Sequence, residues 1–243
     1  MWNRSESQIE LVFIRHGATK SNKEHRYIGK TDEPLSENGI REVQKLKQSG
    51  YYPKVEHLFC SPMKRCIETA RLIYPDITCV IVEEWKEIDF GIFEGKNYVE
   101  LQGNQQYQAW VESNGMLPFP EGESRETFDK RNDIGLHKVL QLLLQMEEVS
   151  LCKCLSMNET ENLSGYKGTA KYITIGIIVH GGTIMSLLSR YGGGEYFDYQ
   201  LNNGEGYQCR LKVGREGFNF TDIGSIACGP NIAGCEKGMV IKL

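Results

Sequence analysis

Long apolar runs are missing from this sequence. No stretch of the 243-residue chain approaches the roughly 20 apolar residues that a membrane-spanning helix needs. Residues 1–7 also lack the apolar core of a secretory signal peptide. We therefore expect a cytoplasmic protein that does not bind membranes.

The chain has little excess charge and no ordered pattern of cysteines. Its formal net charge of −4 argues against a broad basic surface for nucleic acid. Cys152 and Cys154 are separated by one residue, which is shorter than the usual spacing of zinc ligands. We expect free thiols, no bound metal and no organic cofactor. A thiol-based redox or metal protein ranks last among the alternatives.

Reactive side chains follow an apolar stretch near the amino terminus. Residues 11–14 are branched or aromatic and predict a buried strand, which ends at Arg15, His16 and Gly17. In open α/β sheets this edge is where ligands bind. A guanidinium group suits phosphate, and histidine is a nucleophile near neutral pH. The stretch therefore predicts an anion-binding site.

Two more junctions between strand and helix carry charged or titratable residues. The β-branched residues 173–179 predict a central strand that ends at His180. Ser61 is a candidate N-cap with Pro62 at the first helical position, which puts Arg65 in the first turn. We expect both junctions to lie beside the end of the first strand.

The remaining pattern indicates one α/β domain over residues 1–243. We predict three layers, α/β/α, with a mostly parallel central sheet and a small inserted cap at about 96–125. Residues 151–171 are polar and aperiodic, which indicates a surface insertion. The glycine-rich tail after Ser225 has no assigned role, and a homodimer formed through it is an open alternative.

Individual elements can also be predicted. Strands are expected at 55–60 and 77–82, and two edge strands at 207–213 and 218–223. Helices are expected at 36–49, 105–112, 126–149 and from 181 to about 191. The buried stripe of the long helix is expected to contain Phe128, Ile134, Leu136, Val139, Leu140, Leu143 and Leu144.

Several short motifs occur in a fixed order between about Leu11 and Leu188. They are residues 15–19 with Asn22; 27–29 with Asp32, 34–36 and Gly39; 61–70; 87–91 with 93–95; and 179–182. Together they resemble the signature of the histidine phosphatase superfamily, in its phosphoglycerate-mutase-like branch. Taken alone, an Arg-His-Gly triplet would be a weak signal.

The resemblance implies a set of roles. His16 attacks phosphorus and forms a phosphohistidine, while Glu87 acts as general acid and then as general base. The residues that bind the phosphoryl group and substrate are Arg15, Asn22, Gly29, Arg65, His180 and Gly181. Asp89 is the rival carboxylate, although a loop or capping role would also explain it.

These roles have physical requirements. His16 must be neutral on its attacking nitrogen, and its other nitrogen should donate to a backbone carbonyl near Gly17. Glu87 must have a raised pKa, through burial or a nearby negative charge.

Three activities fit such a pocket: a phosphatase, a phosphoglycerate mutase and an inactive binder of phosphorylated ligands. A mutase needs several cations in the cap, yet between residues 92 and 125 only Lys96 and Arg125 are basic. The aromatic and apolar residues there suit an organic phosphomonoester: Tyr98, Tyr107, Trp110, Met116 and Phe119. We therefore expect a phosphatase of small-molecule phosphomonoesters, with sugar phosphates, glycerate phosphates and α-ribazole phosphate as candidate substrates.

Overall fold

The computed structural model describes residues 7–155, 171–214 and 217–226. Within them six strands form one sheet: β1 (Ser7–Arg15), β2 (His57–Cys60), β3 (Cys79–Ile81), β4 (Lys171–Val179), β5 (Gly206–Gly214) and β6 (Gly217–Ser225). Their order is β3-β2-β4-β1-β5-β6. The first four are mutually parallel, β5 runs antiparallel to β1, and β6 runs antiparallel to β5. The mostly parallel α/β sheet predicted from the sequence is confirmed.

Helices connect these strands. The α-helices are α1 (Lys20–Lys23), α2 (Glu37–Gln48), α3 (Lys64–Ile73), α4 (Gln105–Glu112), α5 (Arg125–Leu155) and α6 (Gly181–Gly192). Ser36 caps α2 by accepting a hydrogen bond from the Gly39 N–H, and α4 has the predicted bounds. Short 3-10 turns lie at Glu83–Trp85, Gly91–Phe93 and Tyr196–Tyr199.

The side chains of β1 alternate between two cores, as the pleat of a strand requires. Leu11 and Phe13 are buried on the face covered by α5 and α6. Val12 and Ile14 are buried on the opposite face, beneath α2 and α3. This arrangement gives the predicted three layers, and it fixes the carboxyl end of β1 between two packed faces.

A third apolar cluster lies outside these two cores. Its buried members are Ile88, Phe93, Leu101, Phe119 and Phe128, and its partly buried members include Tyr27, Phe90, Tyr107 and Trp110. We call this set the cap cluster, because most of it comes from residues 88–119. The division into one domain with a cap stays a prediction.

Predictions about five individual elements are wrong in part. Helix α3 begins at Lys64 rather than at Pro62, and its N-cap Met63 makes no side-chain capping bond. Strands β2 and β3 are shorter than expected. Strand β5 lies between β1 and β6, so only β6 of the hairpin is an edge strand. Ile134 is exposed, because it lies about 200° around the helix from the buried Leu136.

Some predictions fall wholly or partly outside the described residues. The expected insertion at 151–171 overlaps the end of α5 and the start of β4, and 156–170 are not described. The tail beyond 226 is not described either, and the side chains of Cys152 and Cys154 are likewise outside the description. Across the ranges that are described, no helix is both long and apolar enough to cross a membrane.

Candidate active site

Two histidines meet at the carboxyl edge of the sheet. His16 follows β1 directly, and its N–H donates to the Val179 carbonyl at the end of β4 (3.0 Å). His180 directly follows the end of β4. Because β1 and β4 pair in parallel, both imidazoles lie at the same edge of the sheet. Their ring centroids are 5.1 Å apart. The predicted convergence of the two strand ends is confirmed.

The hydrogen bonds of His16 define its tautomer. Nδ1 lies 2.8 Å from the Gly17 carbonyl oxygen. A carbonyl can only accept, so Nδ1 carries the proton and Nε2 keeps its lone pair. The side chain is buried, and burial, followed by the charges of Arg65 and Arg15, lowers the pKa of His16 well below 6.5. His16 is therefore held as a neutral imidazole with an unprotonated Nε2.

His180 is held from two sides. The Nε of Arg65 donates to its Nδ1 (3.3 Å), and its Nε2 lies 2.8 Å from the Ser61 hydroxyl oxygen. Because a guanidinium can only donate, Nδ1 is the acceptor and Nε2 carries the proton toward Ser61. Burial is the main reason that the pKa of His180 is well below 6.5.

Arg65 is a buried cation, with 1% of its surface exposed. Its other guanidinium nitrogens donate to the Thr31 carbonyl (2.8 Å) and the Gly29 carbonyl (3.1 Å). Burying an unpaired charge costs free energy. These hydrogen bonds therefore help to stabilise the buried guanidinium. One turn further along the same helix is Thr69, whose hydroxyl accepts from the Gly17 N–H (2.9 Å).

Arg15 reaches into the same region from β1. Its Nη1 donates to the Leu201 carbonyl (2.5 Å). Its Nε is buried and has no hydrogen-bond partner among the described residues. A Cβ added to Gly181 would lie 3.4 Å from this Nε, so the guanidinium faces the first turn of α6. An unpartnered buried donor beside a helix N-terminus is suited to an anion.

Glu87 supplies a carboxyl group to the pocket. Its Oε1 accepts from the Ile88 N–H (3.0 Å), and a Cβ added to Gly182 would lie 2.6 Å from that oxygen. Burial raises the pKa of Glu87, although the hydrogen bond from Ile88 and the charges of Arg65 and Arg15 act to lower it. This is the condition that a general acid needs near neutral pH.

The rival carboxylate is placed differently. Asp89 accepts from the Gly91 N–H (2.9 Å), and an exposed Lys30 lies 3.3 Å from its Oδ1. These contacts fit the loop-stabilising alternative considered for Asp89.

The remaining predicted site residues border these groups. Asn22 lies in α1, where its Oδ1 accepts from the Thr19 N–H (3.1 Å). Gly29 gives its carbonyl to Arg65 and its N–H to Glu94 (3.0 Å). Its Cβ position lies 1.8 Å from the Ile88 carbonyl oxygen, so a larger residue would not fit. Direct contact of Asn22, Gly29 or Gly181 with a substrate stays a prediction.

Three polar residues that support the site cannot be predicted from the sequence patterns. The pattern around Ser61 predicts helix capping, but its hydroxyl contacts His180. Thr69 holds the Gly17 N–H. Asn203 donates to the His16 carbonyl (3.0 Å) from a segment without periodicity. Only the first two lie in a motif, so Asn203 had no signal in the sequence.

A cavity of about 860 Å³ borders Glu87. Its charged lining consists of Asp32, Glu83, Glu87, Asp89, Glu123, Lys30, Lys86 and Arg131. Each of the three cations is paired with a carboxylate of the same lining: Lys30 with Asp89, Lys86 with Glu83, and Arg131 with Glu123. Among the described residues, no group of three or more potential ligands is arranged to hold a metal ion.

The fold and the paired histidines define an α/β protein with a cationic pocket at the strand ends. The chain belongs to the histidine phosphatase superfamily (branch 1), whose family model matches residues 11–146. This match covers more than half of the chain and confirms the family resemblance.

Curated relatives match only part of the chain. GpmB of Proteus mirabilis is 28% identical over 142 residues, which cover 55% of this chain and 64% of GpmB. A 2,3-bisphosphoglycerate-dependent phosphoglycerate mutase of Neisseria meningitidis is 30% identical over 142 residues, which cover 54% of this chain and 59% of the mutase. The matched region thus spans less than two thirds of either relative.

Solved structures resemble a larger share of the fold. The alpha-ribazole phosphatase of Shigella flexneri superposes with a TM-score of 0.60 at 21% identity, over 87% of this chain and 94% of that one. YhfR of Bacillus stearothermophilus gives 0.63 at 21% identity, over 88% and 95%. At this identity the likeness concerns the fold.

Proposed function

We propose that this protein is a phosphatase that hydrolyses small-molecule phosphomonoesters through a phosphohistidine on His16. One observation carries the proposal: His16 is a buried neutral imidazole whose Nδ1 is bonded to the Gly17 carbonyl. This leaves Nε2 as a free nucleophile near the buried Arg65 and the partly buried Arg15.

In the first step, Nε2 of His16 attacks phosphorus and the ester P–O bond breaks. Glu87, whose pKa is raised by burial, gives its proton to the leaving oxygen in this step. Arg15 and Arg65 offset the charge on the phosphoryl oxygens. The Nε of Arg15, which has no hydrogen-bond partner in the part of the chain that the structure describes, is the donor we assign first to this role.

In the second step, water attacks the phosphohistidine. Glu87, now a carboxylate, takes a proton from that water, and the P–N bond breaks. Inorganic phosphate leaves, Glu87 is protonated again and His16 returns to its neutral form. The cycle balances without a metal or an organic cofactor.

The pairing of cations around the pocket favours a phosphatase over a mutase. Arg125 pairs with Asp129 (3.1 Å), and its guanidinium carbon lies 3.2 Å from the ring centroid of Tyr196. The three cations that line the cavity beside Glu87 are each paired as well. A bisphosphorylated ligand would need unpaired cations for its second phosphate.

The mutase is the second candidate, because the Neisseria meningitidis relative is a phosphoglycerate mutase. Two assays on one preparation separate the candidates: phosphate release from a chromogenic phosphomonoester, and isomerisation of phosphoglycerate. We expect rapid release and slow isomerisation. Rapid isomerisation with negligible hydrolysis would replace the phosphatase with the mutase, and phosphate binding without turnover would indicate an inactive binder.

A further inference from the structure

The segment 201–205 packs against the loop that carries His16. The Gly204 N–H donates to the Arg15 carbonyl (3.0 Å), and the Arg15 N–H donates to the Glu205 carbonyl (2.9 Å). The Leu201 carbonyl accepts from the guanidinium of Arg15. This segment therefore contacts the end of β1 through several backbone bonds.

Asn203 adds the only side-chain amide that this segment contributes to the loop in the described residues. Its Nδ2 donates to the His16 carbonyl (3.0 Å) and to Oδ1 of Asn22 (3.2 Å). One amide group thus links the main chain of His16 to the side chain of Asn22.

Backbone groups fix the orientation of both amides. The Thr19 N–H can only donate, so the atom of Asn22 that it contacts is Oδ1. The His16 carbonyl can only accept, so the atom of Asn203 that it contacts is Nδ2. The contact between the two amides is then a donor meeting an acceptor. With its oxygen held by two donors, Asn22 turns its own NH₂ away from Thr19 and Asn203.

We propose that Asn203 is a positioning residue, which holds the Asn22 amide with its NH₂ toward the phosphoryl group. The inference rests on the proposed function, because it assigns Asn22 to a phosphoryl oxygen. Asn203 itself touches no reacting atom. Small misplacements of catalytic groups cost about 100-fold in rate, so the link has a measurable effect.

The chain offers a matched control at the neighbouring position. Asn202 is exposed, and its amide donates to Glu205 (3.2 Å). Asn203→Ala should lower kcat for a chromogenic phosphomonoester about 10- to 100-fold and weaken inhibition by vanadate. Asn202→Ala should leave both values close to those of the wild type.

A double-mutant cycle with Asn22→Ala separates positioning from general damage to the fold. Positioning predicts that Asn203→Ala costs much less kcat in the Asn22→Ala background than in the wild type. Equal losses in the two backgrounds would overturn the proposal, as would equal behaviour of Asn203→Ala and Asn202→Ala. If Asn203→Ala does not fold, Asn203→Asp replaces it in the cycle. Aspartate has nearly the same size and shape as asparagine but lacks the two N–H donors.

The role of Asn203 and the proposed function can fail separately. If the wild type hydrolyses phosphomonoesters and the cycle is additive, only the role of Asn203 is wrong. If the wild type hydrolyses no phosphomonoester, the proposed function is wrong, and vanadate binding to the same variants still tests the geometry.

Discussion

The pocket at the strand ends and the cap cluster differ in the side chains that form them. The pocket consists of buried polar and charged side chains, and nearly every one is bonded to a backbone group or to another site residue. His16, Arg65 and His180 are at most 4% exposed. The cap cluster consists of aromatic rings in mutual contact, such as Phe93 with Tyr107 at 5.3 Å between centroids.

This difference in composition indicates that the two regions have different roles. Preorganised polar groups in a pocket shielded from water stabilise developing charge, so the strand ends are where we expect kcat to be decided. Aromatic packing contributes buried area and form, so we expect the cap cluster to determine stability and the fit of the leaving group. The predictions below test that separation, from the largest effect to the smallest.

The largest effect is expected from His16→Ala. Removing a nucleophile abolishes the covalent route, and we expect phosphate release to fall at least about 1,000-fold. His25→Asn is the control, because His25 is exposed at φ 53° and asparagine tolerates that backbone. Comparable losses in the two variants would contradict the assignment of His16.

Glu87→Gln should have the next largest effect. We expect kcat/KM to fall about 100- to 10,000-fold, since the variant cannot protonate the leaving group. A chromogenic ester with an acidic leaving group needs less protonation, so its kcat/KM should fall less than that of an alkyl ester. Equal losses on both esters would argue against Glu87 as the general acid.

The pH dependence follows from the same residues. The pKa of Glu87 is raised by burial, so the acid form persists to higher pH and kcat/KM should fall as pH rises through that pKa. The pKa of His16 is lowered well below 6.5, so His16 stays neutral, and activity should persist, well below pH 6.5. In Glu87→Gln the decline at high pH should disappear. A wild-type profile that rises steadily with pH would contradict this account.

Phe93→Ala tests the cap cluster. Phe93 is fully buried, so its truncation should lower the free energy of unfolding by about 3–5 kcal/mol. Well below the unfolding temperature, kcat should change only a few-fold. Denaturant unfolding measures the first effect, with Val111→Ala, at an exposed position, as the control. A large loss of kcat in folded Phe93→Ala would show that the cap takes part in the chemistry.

The smallest effect is expected from Lys30→Met. Lys30 pairs with Asp89 on the surface, and its side chain is 60% exposed. Such pairs contribute less than about 1 kcal/mol, so the free energy of unfolding should hardly change in urea. A larger change would mean that the surface pairs beside the cap carry more of the structure than their exposure indicates.

The same contrast explains what the sequence could predict. His16 and His180 each follow a run of β-branched or apolar residues, so local pattern and strand pairing placed both at one edge. The sequence also predicts the acceptor for His16 Nδ1 near Gly17, because this is a local contact, and the Gly17 carbonyl oxygen lies 2.8 Å from Nδ1.

Long-range polar contacts could not be predicted in this way. Ser61 has the pattern of an N-cap, but its hydroxyl is used by His180, 119 positions away, and the helix begins later. Asn203 lies 187 positions from His16, in a loop whose sequence has no period. Such contacts depend on how the strands are ordered in the sheet, and no local pattern records that order.

The most direct test of the central claim is to trap the intermediate. The protein is mixed with a phosphomonoester, quenched in alkali, which preserves phosphohistidine, digested and analysed by mass spectrometry. We predict that the peptide containing His16 carries one phosphoryl group, and that His16→Ala carries none. A phosphoryl group on another residue, or turnover in His16→Ala at the wild-type rate, would contradict the account.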